Sequence, residues 1–131
     1  MVENHEMYFH GRSDPQTGQI SIGLVLMKQG RVVDTMSGEV SYTGSQSRAQ
    51  WEALVQGLVF GASHKVRRLI MKGDSRFVIN YMNGEPPRRE FEEGEYLMLA
   101  RKKQLAFDQC FFQWVPEGSN SQAIQLSRST S

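Results

Sequence analysis

QSRAQWEALVQGLVFGASHKVRRLIMKGDS, residues 46–75, decides how this chain folds. With Gln50 at zero on a helical wheel and ~100° per residue, Ala53, Leu54, Gly57, Leu58 and Gly61 fall on its side, while Glu52 and Gln56 fall opposite. A long helix to about His64 is therefore predicted, with a polar amide in the middle of its inward face. Arg68 to Gly73 then reads as a strand, and Asp74-Ser75 lies at its carboxyl end, the edge where open α/β sheets keep their chemistry.

Working outward, Met7 and Phe9 alternate with Tyr8 and His10, a strand signature over Glu6–Gly11. Asp14-Pro15 and Gly18 mark a turn, Ile20–Lys28 is an apolar second strand, and Gln29-Gly30 turns it into a third, Arg31–Val40. The N-terminal part is thus an antiparallel meander. Ser45 or Ser47 is placed to cap the long helix. The strand after that helix, reached by a crossover, is expected to pair in parallel with an earlier one. Downstream come a short helix over Ser75–Met82 with Asp74 or Ser75 as its cap, and a break at Asn83–Pro87. A helix over Glu90–Leu105 follows, acidic early and basic late. An aromatic strand over Cys110–Val115 and a short final helix within Ser119–Ser131 complete the chain.

The 131 residues fit one domain, 1–131, with a core over about 5–127 and a Ser-rich tail. Hydrophobic residues at 39% and charged residues at 22% describe a globular chain rather than a disordered one. Fifteen basic against fourteen acidic residues, net +1, exclude a binder that works by bulk charge and leave room for a local patch. The single cysteine, Cys110, excludes an internal disulfide and a cysteine-metal cluster. No run approaches the ~20 apolar residues of a membrane span, and no signal-peptide pattern opens the chain. An intracellular protein without membrane association is expected.

The element order and local sequences together resemble the ribonuclease H-like fold. The most similar branch is the plant- and reverse-transcriptase-associated type 1 ribonuclease H that lacks the basic protrusion. The resemblance rests on His10-Gly11-Arg12-Ser13, Gly23–Leu26, Ala49–Leu54, Leu58 with Gly61, Asp74-Ser75, and Trp114-Val115-Pro116 followed by Asn120, Ala123 and Leu126. It implies an α/β fold with a five-stranded mixed sheet, three antiparallel strands then two parallel, and helices on both faces. It also implies two-metal cleavage of the RNA strand in an RNA–DNA hybrid, with four carboxylates holding two Mg²⁺. Three of those positions depart from the family pattern. They are His10, Gln50 and Ile124 here, and only Asp74 is retained. The loop that carries a histidine in many members is Glu117-Gly118-Ser119.

No neighbour replaces the missing acids. Glu52 is turned ~200° from Gln50 along the helix, and Asp14 belongs to a turn. Asn120, Gln122 and Gln125 supply only neutral amides. The resemblance therefore implies no catalytic residue and no cofactor, Mg²⁺ being expected only of an active enzyme. It places Gly11, Arg12, Ser13, Ser45 and Gln46 along a nucleic-acid backbone. Three functions compete: a degenerate module binding RNA or RNA–DNA hybrid, a scaffold with a protein partner or a homodimer, and a hydrolase with altered ligands. On structural grounds Asp74 reads as a helix cap, His10 as a buried neutral histidine, and Ile124 as an extension of the core. Gln50 stands evenly between contacting a ligand and satisfying backbone. Trp51 and Trp114 read as core or rim. Arg67-Arg68, Arg88-Arg89 and Arg101–Lys103 read as solvated faces rather than a phosphate track.

Overall fold

In the computed structural model, which describes residues 3–85 and 92–128, five strands form one mixed sheet in the order β3–β2–β1–β4–β5. These are β1 (Asn4–Ser13), β2 (Gln19–Lys28), β3 (Arg31–Thr43), β4 (Arg68–Gly73) and β5 (Gln109–Trp114). The first three are antiparallel, and β1–β4 and β4–β5 are parallel, as the meander and the helical crossover predict. Both N-terminal strands outrun their predicted ends because the turn is confined to Asp14–Gly18. There the Asp14 carboxylate accepts from the Gln16 and Thr17 amides at 2.8 and 3.1 Å, so pairing continues to Ser13–Ile20.

Four helices follow the predicted order: α1 (Gln46–Ser63), α2 (Arg76–Met82), α3 (Glu92–Gln104) and α4 (Ser121–Arg128). Ser45 caps α1 by accepting from the Arg48 amide at 3.1 Å. Pro86, Pro87, Arg88, Arg89 and the expected start of α3 at Glu90 lie outside the described residues. No described helix is long and apolar enough to cross a membrane.

The helices take both faces of the sheet, and two glycines set the distances. A Cβ on Gly11 would lie 1.8 Å from the Ala49 carbonyl oxygen of α1, and a Cβ on Gly23 would lie 2.1 Å from that of Ala123 in α4. Met7, Phe9, Leu24 and Leu26 fill the α1 side, together with Leu54, Leu58 and Met71. Trp51 lies fully buried there, its ring stacked between Tyr81 and Tyr96 at 6.3 Å from each. The α1 wheel correctly places Ala53, Leu54, Gly57, Leu58 and Gly61 inside. Glu52 also proves buried, because β3 and α3 cover the flank that the wheel leaves to solvent.

Candidate functional site

Where β1, β4, α1 and the turn before α4 converge, a cluster forms around Asp74. The strand-to-helix junction predicts a capping role for this residue, and the structure corrects that. Ser75 is the N-cap of α2, no side chain makes the capping bond, and the Asp74 carboxylate turns back over the end of the sheet. Its side chain is only 4% exposed. His10 Nδ1 lies 3.1 and 3.0 Å from the two carboxylate oxygens. Gln50 Nε2 donates to Oδ1 at 3.2 Å, and Asn120 Nδ2 donates to Oδ2 at 3.0 Å. An ionised carboxylate only accepts, so its contact with His10 calls for a proton on Nδ1. The backbone is pinned as well: Trp114 Nε1 donates to the Asp74 carbonyl at 3.2 Å, with the Arg76 guanidinium 3.7 Å above the Trp114 ring.

Burial pushes the Asp74 carboxyl upward. The bonds from His10, Asn120 and Gln50 and the charge of His10 outweigh it and hold the group below its ordinary range.

Gln50 resolves toward the structural alternative. Its Oε1 accepts the Gly11 amide at 3.1 Å while its Nε2 faces Asp74, so one amide joins the helix to the strand and to the acid. Asn120 does the same from the other side, donating to the Phe9 carbonyl at 2.9 Å as well as to Asp74. Its clamping role is missed by a reading that treats it as a weak oxygen donor; its place three residues before Ala123 is the signal available. Ile124 corrects another expectation: it is half-buried and lies outside the core cluster, whereas Ala123 and Ser127 are the buried residues of α4.

A two-ion site needs several anionic oxygens. Here one carboxylate meets three N–H groups, two of them from amides that present hydrogen rather than oxygen to it. The residues do not fit a magnesium pair. Among the described residues, no three His, Cys, Asp or Glu side chains meet where they could hold a metal ion.

The predicted nucleic-acid residues do come together beside this cluster. Gln46 Oε1 accepts the Ser13 amide at 2.9 Å and its Nε2 donates to the Gly11 carbonyl at 2.7 Å, while Ser13 Oγ donates to the Gly44 carbonyl at 2.5 Å. Ser45 and Gln46 are exposed, and Arg12, next to Gly11 on β1, is half-exposed. The basic runs among the described residues lie elsewhere. Arg67 pairs with Asp108 and Arg68 with Gln109 at the far end of β4, ~20 Å along the strand from Asp74. Arg101 donates to the Met82 carbonyl at 3.0 Å.

Comparison with known proteins now adds to this geometry. A family model described as reverse transcriptase-like matches residues 9–130. No curated protein matches the chain. Among solved structures, ribonuclease H1 from the halophilic archaeon Halobacterium salinarum NRC-1 is similar with a TM-score of 0.90, at 23% identity, over 95% of each chain. The N-terminal ribonuclease H domain of Rv2228c from Mycobacterium tuberculosis gives 0.88 at 18% identity, over 97% of this chain and 92% of that one. LC11 ribonuclease H1, solved with an RNA/DNA hybrid, gives 0.82 at 19% identity over 95% and 94%. At such identities the likeness carries the ribonuclease H fold.

Proposed function

The chain belongs to the reverse transcriptase-like family, and from that premise we propose that it is a catalytically degenerate ribonuclease H-like domain that binds RNA or RNA–DNA hybrid without cutting it. The finer placement in the plant- and reverse-transcriptase-associated branch rests on the motif string from His10 to Leu126. The observation that carries the proposal is the state of Asp74, the one retained family acid, whose two oxygens are taken by His10, Gln50 and Asn120. Ions that would activate water and stabilise the leaving oxygen have no anionic cradle, so no cleavage step follows. Binding is a separate matter. Four clustered carboxylates would repel phosphate until cations neutralised them; one bonded carboxylate leaves a weak field. The Gly11-Arg12-Ser13 strand end, tied to Ser45 and Gln46, offers a cation and polar groups to a sugar–phosphate backbone.

The test is a hybrid-binding and hybrid-cleavage titration on one sample, with and without Mg²⁺ and Mn²⁺. Binding that weakens steeply with salt, without strand scission, is expected. Absence of binding at low salt sinks the proposal, as does cleavage that disappears in Asp74→Asn.

A second reading, a protein-interaction domain or homodimer, draws on the edge strand β3, where Val32 and Val33 are 47% and 45% exposed. A stable dimer or complex that persists in a β3-facing contact, with no hybrid binding, is its signature.

A further inference from the structure

Beyond Asn120, on the α4 side of the sheet, a cavity of about 210 Å³ opens between β1, β2 and the start of α4. Tyr8, Val25 and Met27 form one wall, and Asn120, Ser121 and Gln122 the other. No lining side chain is charged. Lys72, beside the wall, sits 5.4 Å from the Tyr8 ring centre and is paired with Glu6. Such a lining selects a neutral occupant, not a phosphate or a carboxylate. The volume lies below the ~300–1,000 Å³ of drug-sized sites, so it admits one small ring system.

The polar wall is more specific. Asn120 is 1% exposed. Both directions of its N–H₂ are spent on Phe9 and Asp74, and since both partners are acceptors, the amide cannot be flipped. Its Oδ1 is left buried without a partner, which is unusual for so enclosed an acceptor. Immediately beside it, α4 begins at Ser121, and the first N–H groups of a helix have no carbonyl within the helix to bond. One acceptor thus stands next to backbone donors, above a wall of aromatic ring, valine and thioether.

We propose that this cavity binds a single uncharged heterocycle whose edge carries a ring N–H beside a carbonyl, the lactam edge of a uracil- or guanine-type base. The ring N–H donates to Asn120 Oδ1, the carbonyl accepts from the α4 N-terminus, and the ring face lies on Tyr8 and Met27. The site is separate from the strand end that carries the binding proposal above, and it does not depend on that proposal.

The experiment is an NMR titration of the labelled full chain with uridine and guanosine, against their ring-N-methylated counterparts. The probes carry no phosphate, so failure of hybrid binding and failure here remain distinguishable. Expected are saturable shifts at Tyr8, Met27, Ser121, Gln122 and the Asn120 side-chain amide, little changed by salt. Methylating the ring N–H is expected to weaken binding roughly tenfold or more, because it leaves the buried acceptor unmade. Met27→Trp fills the cavity and is expected to abolish the shifts; Gln122→Trp, at the exposed rim, serves if that variant does not fold. Shifts that never saturate mark a merely hydrated cleft and overturn the proposal. Equal binding by the methylated probes, or binding undiminished in the filled variants, overturns it too.

Discussion

Two buried acids in this protein are housed in opposite ways. Asp74 faces groups that can only donate, the side-chain N–H₂ of Gln50 and of Asn120, with His10 across both oxygens. Glu52, two residues beyond Gln50 on α1, is 7% exposed and accepts from the Tyr42 hydroxyl and from Gln56 Nε2. Tyr96 stands next to Tyr42, hydroxyl to hydroxyl at 3.1 Å, and takes a bond from Arg48 Nε at 3.0 Å. Hydroxyls both donate and accept, whereas amide N–H groups do not. The Glu52 cluster can therefore adjust to a changed partner through its phenols, a freedom that the Gln50 and Asn120 N–H groups at Asp74 lack. Trp51 lies between Gln50 and Glu52 in the chain and is fully buried between Tyr81 and Tyr96.

That contrast is open to test. Trp51→Ala empties a fully buried site against which Tyr96 of the Glu52 cluster stacks and is expected to cost about 3–5 kcal/mol, read by chemical denaturation. Asp74→Asn comes next. Whichever oxygen becomes NH₂ then faces the N–H of Gln50 or Asn120, and the expected loss is about 1–3 kcal/mol. Glu52→Gln, the matched change in the adaptable cluster, is expected to cost less than about 1 kcal/mol, because the phenols can turn to accept. Equal losses for the two amide variants would erase the distinction.

The smallest effect is in the pH dependence. The folded-state pKa of Asp74 is depressed from its model-peptide value of 3.8, so its contribution is fully present above that pH. It is lost as pH falls through the lower folded-state value. The acid limb of the stability curve is expected to flatten in Asp74→Asn, and an unchanged limb would assign acid unfolding to other groups.

Much of the fold was readable before any coordinates. Period-two alternation around Met7 and Phe9, the Gln29-Gly30 turn and the wheel of α1 give the antiparallel meander and the crossover helix. The resemblance through His10, Gln50 and Asp74 names three of the side chains that meet at the site. What stayed hidden was long-range. Asn120 bonds to Phe9 and Asp74 across 111 and 46 positions, and no local period reports that. Asp74 reads as a cap because a strand-to-helix junction usually supplies one, and tertiary donors override that preference. Glu52 reads as exposed because a wheel knows nothing of Tyr42 arriving from β3. Ile124 reads as core because residue type is a weaker guide than the face of α4, which Ala123 and Ser127 define.

The most direct measurement is thermal denaturation with and without Mg²⁺ or Mn²⁺ at matched ionic strength. A carboxylate already satisfied by three protein donors is expected to leave the melting temperature unchanged within ~1 °C, since a ligand stabilises only through a site it occupies. A rise of several degrees that vanishes in Asp74→Asn would show a specific ion site on that residue and contradict the reading.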